Sequence, residues 1–362
     1  MSRRKFLKQS SYLAMGFLTY PAGVYAERSR SANLPAGKAG AFSVSSPKDV
    51  IIGHNSHQYK VNLNWGNLNT SQTPVNDCHE MVQDSKGRIV LLTNHTKNNV
   101  IIYDKSGKLI ETWGTEYPGA HGLTLVKENG TDFLLITDYE RHQIIKTTID
   151  GKVVFKIDTP LETGKYTKKE DFKPTETTVT ENGDIYVADG YGKQYITHYN
   201  HKGELLNIFG GQGTENGQFL NAHGICYDHR DSDNPSLLIT ARELNQLKRF
   251  GLDGTFIETI PVPGALICRP VIHKKDIYFA VLRSKNAVHD DSGFILIMNE
   301  KNEVVSCPGA TAPSYQNNEL GELYQTIRLF QHPHDVCIDD DENMYVAQWN
   351  SGQTYPIKLT RV

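Results

Sequence analysis

Three histidines of this chain stand in nearly the same setting. Ala120-His121-Gly122-Leu123 precedes the apolar run Phe133-Leu134-Leu135-Ile136-Thr137-Asp138, and Ala222-His223-Gly224-Ile225 precedes Leu237-Leu238-Ile239-Thr240-Ala241-Arg242. Gln331-His332-Pro333-His334-Asp335-Val336 likewise precedes Met344-Tyr345-Val346-Ala347. Imidazole is a metal ligand in its neutral form, and three imidazoles from separate segments can hold zinc on one side while leaving a position open for water or substrate. His79 and His332 lie close enough in the pattern to serve as further ligands or substrate contacts. Glu176 and Arg269 occupy the corresponding positions of two other segments, as substrate contacts or simply as polar residues suited to a narrow, solvated end of a repeated unit.

The repeated unit must bring these positions together. From about residue 49 the chain repeats every 40 to 60 residues, the range of propeller blades. Each unit opens on a polar residue and runs into an apolar strand. It turns at Asp, Asn or Gly, forms two more strands, and turns again into a fourth. The first unit reads Asp84-Ser85-Lys86-Gly87, Ile89-Val90-Leu91-Leu92, Val100-Ile101-Ile102-Tyr103, Lys105-Ser106-Gly107 and Leu109 to Gly114. Short β-rich runs separated by turn residues are strands. Units begin at His79, His121, Glu176, His223, Arg269 and His334, which predicts an all-β, six-bladed propeller. The last unit has only three strands, and Lys60 to Gly66 near the front matches the fourth-strand pattern, so the front strand is expected to complete the last blade. Such closure removes free sheet edges. His121, His223 and His334 then come from alternate blades and converge on the channel.

The chain has 362 residues and a net charge of −3, which excludes the basic signature of nucleic-acid binding. Ser2-Arg3-Arg4-Lys5-Phe6-Leu7-Lys8, the weakly apolar stretch after it and Val24-Tyr25-Ala26 resemble a twin-arginine export signal with its cleavage site. The expected organisation is a signal over 1–26, a flexible leader over 27–48 and the propeller over 49–362. The twin-arginine export machinery is the expected transient partner, and the location periplasmic or secreted. Cys78, Cys226, Cys268, Cys307 and Cys337 are odd in number, widely spaced and without a CxxC pair, which does not read as a disulfide framework.

The motifs also resemble a family. Ala120-His121-Gly122-Leu123 with Thr137-Asp138, Pro174-Thr175 with Val187-Ala188-Asp189-Gly190-Tyr191, Phe219 to Gly224 with Ala241-Arg242-Glu243, and Pro333-His334-Asp335 with Tyr345-Val346 follow the order found in the peptidyl-hydroxyglycine amidating lyases, a branch of the NHL-repeat propellers. The resemblance spans about residues 75 to 360. It implies a Zn²⁺ on His121, His223 and His334, Tyr191 as base toward a substrate hydroxyl, and Arg242 beside the site. It also implies a structural Ca²⁺ on Asp335 and on the backbone carbonyls of Leu123 and Met81. A metal and a cation near a phenol favour its phenolate, so the tyrosine's role is chemically coherent. The expected activity is cleavage of a small or peptidic hydroxylated or carbonyl-type substrate. A metal-dependent hydrolase and a non-catalytic propeller binding a peptide, glycan or protein are the alternatives. The chain also departs from the family. The first-blade arginine has no counterpart near Leu92-Thr93-Asn94-His95, where His95 and Lys97 are the nearest cations. His332 replaces a methionine, and Gly192 a cysteine.

Overall fold

The computed structural model describes residues 50–284 and 292–362, so the expected signal and leader lie outside the described residues. Six sheets of four or five strands form the blades of a propeller. Blades one to four each consist of four consecutive antiparallel strands, with innermost strands Cys78–Gln83, Ala120–Glu128, Glu176–Val179 and Ala222–Asp228.

The last blade is built from Pro333–Ile338, Met344–Gln348 and Ile357–Arg361, and its fourth strand is His57–Asn62. Val61 pairs with Leu359 and Tyr59 with Arg361, so the front of the chain does close the ring. The closing strand runs slightly earlier than Lys60 to Gly66, and Ile51–His54 adds a fifth strand outside it.

Six apolar clusters fill the spaces between successive blades, the sixth lying between blades six and one. The two-residue period of a strand explains how one run serves two of them. Leu237 and Ile239 pack toward blade three, whereas Leu238 between them packs toward blade five. Central strands therefore read as continuous apolar runs rather than alternating ones, because both of their faces are covered.

Blade five departs from the pattern. Its inner edge is broken into Ala265–Ile267 and Val271–His273, both pairing with Asp276–Ser284. Pro270 sits in the break and has no N–H to give to a ladder. Cys268 and Arg269 occupy the same break, which leaves the Arg269 side chain to reach inward.

Candidate functional site

The histidines are aimed by local irregularities in the sheets. The ladder between first and second strands shifts register between Cys78 and Glu80, Ala120 and Leu123, Ala222 and Ile225, and Pro333 and Asp335. Each shift brackets a histidine, and an extra residue in a strand turns a side chain away from the regular pleat. Glycine is required next to two of them. A Cβ on Gly122 would lie 2.5 Å from the Thr175 carbonyl oxygen, and one on Gly224 would lie 2.5 Å from the Arg269 Cα. The Gly122 N–H donates to Thr137 Oγ1 and the Gly224 N–H to Thr240 Oγ1, one arrangement used twice.

His79, His121, His223 and His334 meet on the axis. Ring centroids of His121 lie 4.7 Å from His79, 4.9 Å from His223 and 4.8 Å from His334, and His223 lies 4.9 Å from His334. All four are buried. Burial lowers the His79 pKa to about 3 and is the main cause of pKa values well below the ordinary one at His121, His223 and His334. The positive charge of Arg242 adds to the effect at those three. Four neutral imidazoles result, the protonation state that binds metals.

Their tautomers follow from what each nitrogen faces. His121 Nδ1 is 2.8 Å from the Thr175 carbonyl oxygen and His334 Nδ1 is 3.0 Å from that of His79. A carbonyl only accepts, so both Nδ1 atoms carry hydrogen and both Nε2 atoms present lone pairs. The Tyr191 hydroxyl lies 3.0 Å from His121 Nε2 and therefore donates to it. The same hydroxyl is 3.3 Å from His223 Nε2, which must then be the donor. A directed chain runs from His223 through Tyr191 and His121 to the Thr175 carbonyl.

Tyr191 is held by its loop. The Asp189 carboxylate accepts from the Lys173 and Lys193 N–H groups at 2.6 Å each and from the Tyr166 hydroxyl at 3.0 Å. Burial raises the Asp189 pKa to about 7 even against these hydrogen bonds. Gln194 donates to the Gly190 carbonyl and accepts from the Ala222 N–H, tying the loop to the strand that carries His223. At Gly192 a Cβ would lie 2.1 Å from Asp189 Oδ1, so the cysteine of the resemblance has no room here. Tyr191 and Tyr139 are half-buried, with rings 5.7 Å apart, and border the histidine cluster.

Arg242 is buried at the start of a short turn, Arg242–Leu244, and reaches Cys268 Sγ at 3.9 Å. Burial opposes its charge, but Tyr191 and Cys268 outweigh that and hold its pKa above the ordinary value. Its Nε has no hydrogen-bond partner. Near the expected place of the first-blade arginine, Lys97 is exposed and donates to the Ser71 carbonyl. His332 adopts a positive φ and packs against Trp349 at 5.4 Å, outside the groups of converging donors.

Donor atoms lying within 4.8 Å of one another form two groups that share His334, namely His79, His121, His334 and His223, Cys268, His334. The expected trio is thus enlarged by His79 and Cys268, with the Tyr191 hydroxyl standing between His121 and His223. Among the described residues the cluster is chemically suited to a cation. His334 Nε2, a buried lone pair, has no hydrogen-bond partner, and neither ring nitrogen of His79 has one. Buried acceptors without partners are costly, and a metal ion would satisfy them.

Arg269 differs from both of its expected surroundings. Its Nε and Nη2 donate to Asp335 Oδ1 and Oδ2 at 3.0 and 2.8 Å, Nη1 to the Leu123 carbonyl at 2.9 Å, and Nη2 to the Met81 carbonyl at 3.1 Å. Glu80 and Glu176 approach it at 3.4 and 3.7 Å. Asp335 and the carbonyls of Leu123 and Met81, which the resemblance assigned to calcium, are therefore taken by a guanidinium, and these residues do not fit the ion. Arg269 and Glu176 are spent on each other and on the axis rather than offered to substrate. Burial, reinforced by Glu176 and Asp335, holds the Glu80 pKa well above the carboxylate range, and burial raises that of Asp335 to about 6 against the pull of Arg269.

Comparison with known proteins agrees with this architecture. No family model matches the chain. The peptidyl-alpha-hydroxyglycine alpha-amidating lyase 1 of Drosophila melanogaster is 30% identical over 353 residues, 88% of this chain and 56% of the fly protein. The chain is a propeller similar in sequence to an amidating lyase. A probable peptidyl-alpha-hydroxyglycine alpha-amidating lyase of Caenorhabditis elegans is 30% identical over 132 residues, 35% of this chain and 36% of its own length. The chain thus spans about half the length of the fly relative and a smaller share of the nematode one. Among solved structures, a streptogramin B lyase matches with a TM-score of 0.54 at 15% identity, covering 83% of this chain and 97% of its own. A virginiamycin B lyase from Staphylococcus aureus gives 0.51 at 15% identity, covering 85% and 88%. Identities this low speak for the fold alone. Within the propeller, sequence reasoning singled out all four axial histidines, Tyr191 and Arg242. It missed Cys268, whose only signal was its place beside Arg269 at the head of a unit.

Proposed function

We propose that this amidating-lyase-like propeller is an exported, metal-dependent lyase that breaks a C–N bond in a small or peptidic substrate bearing a hydroxyl on the same carbon. The observation that carries the reading is the Tyr191 hydroxyl, hydrogen-bonded to two axial histidines and next to a buried arginine. His121, His334 and His79, with His223 and Cys268 beside them, would hold the ion. A bound Zn²⁺ would supply Lewis-acid polarisation of the substrate oxygen. With Tyr191 ionised, its phenolate takes the proton from the substrate hydroxyl as the new C=O forms, the C–N bond breaks, and that proton passes to the departing nitrogen. An amide and an aldehyde or ketone result, with no change in oxidation state. Arg242, fixed by burial and with an unused Nε–H, holds a substrate carboxylate or the developing oxyanion.

In the hydrolase reading a carboxylate would assist a metal-bound water. Asp189 is bound to loop N–H groups and Tyr166, and Glu176 to Arg269 and the Thr177 N–H. The lyase reading is therefore favoured. The test is elemental analysis of protein purified without a histidine tag, followed by product analysis on a hydroxyglycyl peptide and an ester panel. Glyoxylate and peptide amide support the reading. Ester cleavage alone points to a hydrolase, and metal-free, inactive protein points to a binding propeller. Export is tested by secretion of the full chain and its dependence on Arg3 and Arg4.

A further inference from the structure

The Arg269 guanidinium gathers acceptors from four other blades. Met81 and Glu80 belong to blade one, Leu123 to blade two, Glu176 to blade three and Asp335 to blade six. Blade five supplies the arginine, and the Gly224 backbone of blade four packs directly against its Cα. All six blades therefore touch one residue on the axis. The acceptors are carboxylate and carbonyl oxygens, a set that suits a hard divalent cation. They are also cross-linked among themselves, since Asp335 Oδ2 accepts from the Met81 N–H at 2.8 Å and Glu80 Oε2 from the Leu123 N–H at 2.6 Å.

This cage sits one residue along from the histidines. Glu80 follows His79, Gly224 follows His223 and Asp335 follows His334, while Leu123 is two residues after His121. Glu176 follows Thr175, whose carbonyl orients His121. Whatever fixes the cage fixes the backbone on which the imidazoles stand.

We infer that the Arg269 guanidinium is the resident structural cation of this propeller, filling the axial oxygen cage in place of a bound divalent ion and positioning the four histidine strands. A planar fork meets Asp335 with two parallel bonds and still has N–H groups for two carbonyls, which a spherical ion would meet by coordination. The side chain is covalently attached, so the cage is filled at any calcium concentration. The positioning consequence rests on the proposed metal at the histidines, whereas the identity of the structural cation does not.

The experiment compares wild type, Arg269→Lys and Arg269→Ser in thermal unfolding, in chelator-free buffer stripped of calcium and with millimolar calcium chloride, alongside calcium content after dialysis. Wild type is expected to hold no calcium and to melt at one temperature in both buffers. Arg269→Ser is expected to melt roughly 5–15 °C lower without calcium, as for a broken buried ion pair, and to recover part of that loss in calcium. Arg269→Lys keeps the charge without the fork and should fall between them with no calcium response. One calcium per wild-type chain, a wild-type Tm that rises with added calcium, or an unshifted Tm in Arg269→Ser would each overturn the inference. If Arg269→Ser does not accumulate in folded form, its refolding yield with and without calcium decides the same point. Cobalt loaded at the histidines reports positioning: the visible spectrum of wild type should be lost in Arg269→Ser in chelator-free buffer stripped of calcium and return with calcium. A wild-type chain that takes up no cobalt would count against the histidine metal and leave the melting result on Arg269 standing.

Discussion

Replacing Tyr191 by phenylalanine separates the lyase reading from its rivals, and the structure sets the scale of each effect. The substitution keeps the ring, which meets His121 edge-on at 5.0 Å and Tyr139 at 5.7 Å, and removes only the hydroxyl. Two hydrogen bonds go, at 3.0 Å to His121 and 3.3 Å to His223. At about 1 kcal/mol net for each, stability should fall by about 1–2 kcal/mol, too little to unfold the domain. Losing a general base costs on the order of 10²–10⁴ in rate, about 2.7–5.4 kcal/mol of barrier. Turnover should therefore collapse while the fold and the metal content persist. The assay is steady-state kinetics on a hydroxyglycyl peptide, with thermal melting and metal analysis on the same preparations. Tyr139→Phe is the control, since its ring borders the cluster, and it should retain turnover within about threefold, the scatter of substitutions outside the reacting groups. Turnover of Tyr191→Phe within that same margin would remove the tyrosine from the mechanism.

Three further outcomes follow from the packing. Gly122→Ala places a methyl 2.5 Å from the Thr175 carbonyl oxygen and 2.8 Å from Thr137 Oγ1, so it should cost about 2–3 kcal/mol in denaturant unfolding; a neutral result would mean the bulge relaxes freely. Tyr59→Ala empties a fully buried position in the closing strand and should cost about 3–5 kcal/mol, with aggregation on heating as the last blade's edge is released; reversible melting at the wild-type Tm would contradict closure. Asp189→Asn sets an amide against one of two backbone donors and should misplace Tyr191, lowering kcat by roughly tenfold with little loss of metal; a change confined to KM would mean that the loop only meets substrate.

The fold was legible because propeller units repeat, and repetition turns weak local signals into a strong one. Leu237-Leu238-Ile239 alone could be a buried helix or a strand, but its recurrence after His-Gly and before a turn residue fixes it. Ring closure was legible for the same reason, since the strand left over at the front matched the strand missing at the back. Blade five was the least readable. Its inner edge breaks at Cys268-Arg269-Pro270, and nothing in a period-two pattern announces which way a residue in such a break will point. Cys268 was missed for that reason, and Arg269 was placed among substrate contacts.

The misplacement of Arg269 shows what short motifs can carry and what they cannot. A motif such as Pro333-His334-Asp335 preserves its own geometry, because the bulge that aims His334 is local to one hairpin. The occupant of the space beside Asp335 is not local: it arrives from blade five, and also meets carbonyls of blades one and two. Main-chain carbonyls accept from any donor, so the residues that provide them look the same in sequence whether a metal ion or a guanidinium is bound. Only the residue that comes to them differs, and here it is an arginine with three buried carboxylates around it. Two propellers can therefore share histidines, tyrosine and aspartate in order and still fill the axis with different cations. In this chain the cation is part of the sequence, so the frame around the histidines forms with the fold itself.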